Sequence, residues 1–276
     1  MNGKQTIDAL REFMRKNGFP ENKEPFRINL AGIRTSYNVT NKFDDTLCAW
    51  RYTENGSLEY IIGDGTTKAG LFYTSVELLN PEGVAIISEG YHKDLWTWGH
   101  HHEYEAFKQF SPFKGYRDKN KNLTFDLNEL IEIKQTACVN MHHSGSDSSD
   151  DKNVGRNSAG CQVWEQMADW IRLTVWGKKD NSIYSKPFSY LCVSRDAINE
   201  TWQNMQLSES ITPPTLSTQA PKIEAQPQGE IKEIVAPIQT GQTAQAAQTI
   251  QVQPKLKHLS IVELIMKLLQ TFFKKK

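Results

Sequence analysis

The sequence predicts a mainly β fold on two observations. Between residues 25 and 136 short β-prone runs alternate with turn signals, and helical periodicity is all but missing there. A helical period appears only near the N-terminus, just after Cys161 and at the far C-terminus, so strands form the body, as in a sandwich or barrel, and helices its margins.

Composition allows such a body. The 276 residues leave room for one or two domains, and 38% hydrophobic residues with 10% aromatics are enough for a real core. Lys and Arg balance Asp and Glu at 32 each, and neither half carries the basic excess that phosphate contacts require, so nucleic acid is not an expected partner. The four cysteines, Cys48, Cys138, Cys161 and Cys192, form no tight framework, which fits synthesis in a reducing compartment.

Residues 1–20 read as a short amphipathic helix. Ile7, Leu10, Phe13 and Met14 repeat at helical spacing, and Asn17, Gly18 and Pro20 stop it. The segment is not a secretory signal peptide, so synthesis in the cytoplasm is expected. The runs 26–34, 47–53, 58–62, 84–87, 95–101 and 131–136 follow as strands, punctuated by Glu54-Asn55-Gly56, Asp64-Gly65, Asn80-Pro81-Glu82-Gly83 and Glu89-Gly90.

Three local features in this half invite a functional reading and favour a plainer one. Along His100, His101 and His102, strand alternation sets the first and third on one face and the second on the other, a poor arrangement for a metal, so an ordinary surface strand end is expected, with metal or substrate contact as the alternative. Asp118, Asn120, Asn122, Asp126 and Glu129 fall on positions 1, 3, 5, 9 and 12 of a calcium loop. Leu123, however, stands where that loop turns on glycine, so a solvated polar turn is expected. Trp96, Trp98 and Tyr104 are expected in the core, with a substrate groove as the alternative.

After Cys161 the period changes. Trp164, Met167, Ala168 and Ile171 recur at i, i+3, i+4 and i+7, predicting a helix that lays this face on the sheet and ends at Gly177. Residues 188–193 supply one more strand, and the domain spans residues 21–206. Residues 207–254, rich in Gln, Thr, Ala and Pro and free of aromatics, read as a disordered linker. In residues 255–276 apolar side chains surround a narrow stripe of Glu263, Lys267, Gln270 and Lys274, the pattern of an amphipathic basic helix. Its apolar part is about 22 Å long at ~1.5 Å per residue, short of the ~30 Å hydrocarbon core. A place on a membrane surface, or self-association, is therefore expected of it.

The chemistry concentrates in residues 139–163, VNMHHSGSDSSDDKNVGRNSAGCQV. An apolar strand ends in His142 and His143, a polar loop follows, and Ser158-Ala159-Gly160 deliver Cys161. A thiol of pKa ~8.5 is only a few per cent thiolate at neutral pH and needs a base, a task that suits an imidazole of pKa ~6.5. The small residues before Cys161 let the chain turn tightly and offer the amides of Gly160 and Cys161 as an oxyanion hole. The order His then Cys is the reverse of papain-like peptidases. Cys138, His142, His143 and Cys161 lack the CxxC or HxxxH spacing of a closed zinc shell, so neither metal nor cofactor is expected.

Asn140-Met141-His142 followed by Ser158-Ala159-Gly160-Cys161 resembles the motif of the L,D-transpeptidase catalytic domain (YkuD type). That motif is a strand-borne histidine, fourteen to seventeen variable residues, then Ser/Thr-His-Gly-Cys. Fifteen residues separate His142 from Ser158, and fourteen separate His143 from it, so spacing admits both. His142 is preferred because the family histidine ends an apolar strand and is followed by a variable or small residue. Ala159 stands where the family has histidine, and the Asn two places after the cysteine is replaced in Cys161-Gln162-Val163-Trp164, as in a divergent SAGCQ-motif branch of phage and Bacteroidota proteins. The likeness covers about residues 26–193.

The resemblance implies an L,D-transpeptidase-like β-sandwich with a helix packed after the cysteine. It also implies peptidoglycan stem peptides as substrates, processed through a thioester on Cys161. His142, or else His143, is then the base, and Asn140, Arg156 and Ser158 contact a substrate carboxylate or support the residues that do. The outcome is a crosslink, as in an L,D-transpeptidase, or hydrolysis, as in a carboxypeptidase or endopeptidase. Without a signal peptide the protein is expected to reach the wall by phage-type release or dedicated export. The rival expectation is a non-catalytic wall-binding or virion-structural protein that keeps the fold.

Overall fold

The computed structural model describes residues 1–125, 127–144 and 153–211. The linker beyond residue 211, the amphipathic helix over 255–276, Asp126 and the stretch 145–152 lie outside the described residues.

The first helix, α1 (Gly3–Lys16), starts with a capping box: the Asn2 side chain accepts the Gln5 N–H at 3.0 Å and Gln5 Oε1 accepts the Asn2 N–H at 2.7 Å. Strands then dominate: β1 (Asn29–Arg34), β2 (Asp45–Tyr52), β3 (Leu58–Thr66), β4 (Ala85–Ile87), β5 (Gly90–His101), β6 (Tyr104–Gln109), β7 (Phe113–Arg117), β8 (Ile131–Ile133), β9 (Met141–His143) and β10 (Gln162–Trp164). They are followed by α2 (Met167–Tyr184), β11 (Phe188–Ser194) and α3 (Arg195–Ile211). The mainly β class is as expected, and the strands close into a barrel in the order β1-β11-β5-β6-β9-β10-β3-β2, with β4, β7 and β8 in a separate sheet.

Side-chain alternation explains the layering. Leu30, Leu47, Ala49, Phe107, Met141, Trp164 and Tyr190 fill one core. Their strand neighbours Ala31, Cys48, Trp50, Leu191 and Val193 face the other way, where α1 and α3 cover them with Ile7, Leu10, Met14 and Ile198. Strands β1, β2 and β11 are thus buried on both faces, which is why each reads as a nearly continuous apolar run. The N-terminal helix is part of this body, and α3 carries it past the expected boundary at residue 206.

The helix after the cysteine differs from expectation in register. Trp164 belongs to β10, Ile171 is exposed, and the buried face of α2 is Trp170, Leu173, Trp176, Gly177 and Asp180. Gly177 does not end it. The helix runs seven residues further, and the glycine lets Trp98 pack close, since a Cβ there would lie 2.3 Å from the indole. Asp180, fully buried, meets the Arg27 guanidinium and accepts the Ile28 N–H at 2.7 Å, fastening α2 to the start of β1. Strands β6 and β7 are additions to the expected set. Both are short and carry lysines, Lys108 and Lys114, on their exposed faces, which masks the apolar half of their alternation.

In the polar loop, the buried Asp118 turns both oxygens onto the loop's own amides, accepting from Asn122 and Leu123 at 3.1 Å each, while Glu129 pairs with Lys119 at 2.7 Å. Among the described residues no helix is long and apolar enough to cross a membrane.

Candidate active site

The site is set by two short parallel strands. In the β9–β10 pair Val163 lies opposite His142, and Trp164 lies opposite His143. Cys161 and Val163 are two residues apart and pack in one cluster, so His142 shares a face with the cysteine. His143 points the other way, with its ring 6.0 Å from Trp170 and 5.1 Å from Tyr104 and its Nδ1 at the Ser144 carbonyl.

The turn before Cys161 depends on its small residues. Gly160 adopts φ +128°, and a Cβ there would sit 2.5 Å from the Ala85 carbonyl oxygen, so only glycine fits. Ser158 Oγ donates to the Cys161 carbonyl at 2.9 Å and accepts the Gly160 N–H at 3.0 Å. That bond occupies one of the two amides expected in an oxyanion hole. From the core side, Tyr190 Oη donates to Gln162 Oε1 at 2.7 Å, and Gln162 Nε2 donates to the Gly160 carbonyl at 3.2 Å, tying the cysteine turn to β11.

Cys161 opens onto a cavity of about 190 Å³. Its lining includes His101, His102, Cys138, His142 and Arg156, and among the described residues no carboxylate. A neighbouring cavity of about 250 Å³, with Arg117 in its wall, shares Leu79, Ala137, Val139 and Ala159 with the first. Arg156 stacks over the Phe72 ring with Cζ 3.7 Å from its centroid, which fixes its charge at the cavity edge.

In this cavity the Cys161 thiol and the His142 and His101 imidazoles are neutral at rest. Cys161 is 9% exposed, and burial pushes its thiol up to about 11, although the Asn140 N–H points at Sγ from 3.4 Å and works against that rise. Burial holds the His142 imidazole down at about 3, and His101, also lowered chiefly by burial, stacks on it at 5.0 Å. The His142 Nδ1 lies 2.8 Å from the His143 carbonyl, which only accepts, so Nδ1 carries the proton and Nε2 the lone pair. The resting pair is therefore thiol and imidazole, with no ion pair formed in advance.

The sequence-predicted residues separate clearly. Cys161, His142 and Arg156 share the cavity, whereas His143 does not line it. Asn140 and Ser158, expected either to contact substrate or to support the site, are 3% and 1% exposed, and their polar groups are committed to Gln109, His101, Gly160 and Cys161. Both build the site from behind. Trp96 is fully buried with its N–H on the Val139 carbonyl at 2.9 Å, and Tyr104, half-buried, has its ring 5.8 Å from that of His142.

Sequence reasoning set aside His101 and Cys138 after weighing them as metal ligands, and gave Gln162 no role. The signal for the first was a two-residue turn. His102 sits at the tip of the β5–β6 hairpin with φ +53°, which ends the strand alternation and brings His101 and His102 together, ring centroids 4.4 Å apart. Cys138, exposed on the cavity rim, directs its carbonyl to Cys161 Sγ at 3.7 Å. Comparisons with family models, with curated proteins and with solved structures return no match for this chain.

Proposed function

We propose that the protein is a cysteine acyl-transfer enzyme of L,D-transpeptidase type acting on peptidoglycan stem peptides. One observation carries the reading. His142 in β9 and Cys161, in the turn that enters the parallel strand β10, line one cavity, and the histidine tautomer leaves Nε2 as the base.

In this reading Sγ attacks the carbonyl of the third residue of a stem peptide while its proton passes to His142 Nε2. Because thiol and imidazole are both neutral at rest, the proton moves as the S–C bond forms rather than beforehand. D-Alanine leaves with that proton, and an amine of a second stem, or water, resolves the thioester. Arg156 is the cation for a substrate carboxylate, and the neighbouring cavity beside Arg117 is the place for the rest of an extended peptide. The barrel with α2 after the cysteine turn is read as a form of the family's sandwich. Phage-type release or dedicated export, and a membrane or self-association role for residues 255–276, belong to the same proposal.

The test is incubation of the full chain with peptidoglycan and defined stem peptides, followed by mass spectrometry. A fragment of residues 20–206 is the wrong sample, because it cuts α1 away and shortens α3. Loss of D-alanine, new crosslinks or cleaved crosslinks are expected, all vanishing in Cys161→Ala and His142→Ala. Intact substrate with no acyl adduct on Cys161 would sink the enzyme and favour a wall-binding or virion-structural protein. The burial and raised pKa of the thiol are the observations on that side.

A further inference from the structure

His101 reaches the cavity from a part of the chain outside the His/Cys motif. It ends β5 in register with Tyr104, and its ring lies on that of His142 with planes 22° apart. What the ring offers is decided by its neighbours. The Gln109 N–H donates to Asn140 Oδ1 at 2.8 Å, which identifies the amide oxygen and leaves Nδ2, a donor only, facing His101 Nδ1 at 3.0 Å. His101 Nδ1 must accept, so the proton sits on Nε2.

The two stacked rings are thus of opposite tautomer. His142 has a lone pair with which to take a proton, and His101 has an N–H to offer. We propose that His101 is a catalytic residue whose Nε2–H donates to the carbonyl oxygen of the substrate as Cys161 attacks it. The inference rests on the nucleophile reading above. As the S–C bond forms and the thiol proton passes to His142, the C=O π pair moves to oxygen, where the negative charge collects and a donor is needed. On collapse the leaving group departs with the proton from His142. The Gly160 amide is held by Ser158 and does not fill this role. Asn140 is the positioning residue that holds His101 in the donor tautomer.

The test uses the full chain with Cys138→Ser, so that the exposed thiol is silent, and two small reagents. p-Nitrophenyl acetate acylates a thiol through an oxyanion, whereas iodoacetamide alkylates it without one. His101→Phe, which keeps a flat ring beside His142, is expected to slow acylation of Cys161 on the order of 100-fold while alkylation runs at the parent rate. His101→Gln, which restores an N–H, regains part of the acylation. Proton–nitrogen NMR should find the His101 proton on Nε2, and Asn140→Asp, which turns the partner into an acceptor, should move it to Nδ1 and slow acylation. Equal loss of both reactions in His101→Phe, or a parent His101 protonated on Nδ1, overturns the proposal. A Cys161 inert to both reagents with His101 in the expected tautomer also overturns it, but through failure of the nucleophile reading.

Discussion

Two buried polar clusters flank the barrel strands, and they are built on opposite plans. At the ends of β1, β2 and β3, the fully buried Asp45 carboxylate accepts four hydrogen bonds of 2.8 Å, two from Thr35 and two from Thr67. Arg34 Nε donates to Thr67 Oγ1 at 2.9 Å, and Lys68 Nζ lies 2.9 Å from Asp44 and 3.4 Å from Asp45; only Arg34 Nη1 among the cations' nitrogens there lacks a hydrogen bond. This cluster is charged and nearly saturated. At Cys161, His142 and His101 the groups are neutral; each ring makes one hydrogen bond, through Nδ1, and both histidines line the cavity. Matched charge holds the strand ends together, while an unmatched nitrogen beside a cavity is what a reaction requires.

The contrast breaks if the first cluster proves dispensable. Asp45→Ala is expected to cost roughly 3–5 kcal/mol in urea unfolding, since it strands buried cations, with Cys161 reactivity per folded molecule unchanged. A loss under about 1 kcal/mol would put this pair with surface ion pairs. The next effect is one of pH. The folded His142 ring holds out against protonation down to about 3, whereas in the unfolded chain it protonates near 6.5. Its stability is therefore complete above pH 6.5 and is lost as pH falls toward 3, at up to about 1.4 kcal/mol per unit. His142→Gln should flatten that limb of the unfolding curve. Gly160→Ala forces a Cβ onto the Ala85 carbonyl at a left-handed position, with an expected cost of about 1–3 kcal/mol and loss of Cys161 acylation by p-nitrophenyl acetate. Smallest is Tyr190→Phe, about 1 kcal/mol by thermal melting for the lost bond to Gln162. A Tyr190→Phe protein that acylates as fast as wild type would show that the turn holds its place without its tie to β11.

Legibility in the sequence followed the range of the interaction. The N-terminal helix, most strands and the pairing of one histidine with one cysteine were readable, because alternation, capping and turn residues are local. The β1–β11 pairing that closes the barrel joins Leu30 to Tyr190, a contact no local pattern reports. Trp164 satisfied two periods at once, the i, i+3 of a helix and the alternation of β10, and the strand won because Trp164 faces the core. Gly177 looked like a stop because its actual task, admitting Trp98, belongs to a strand far away in the chain. Which of His142 and His143 shares the Cys161 cavity was beyond spacing but follows from register, since adjacent residues on a strand face opposite ways.

The parallel pairing of β9 and β10 also accounts for the length of the motif. Parallel neighbours cannot be joined by a tight hairpin; the chain must travel back along the full strand, which takes about a dozen residues or more. The fifteen positions between His142 and Ser158 exceed that minimum, which strand geometry sets rather than chemistry. In one dimension, then, a site of this kind is recognised by its two fixed ends and a gap of elastic length.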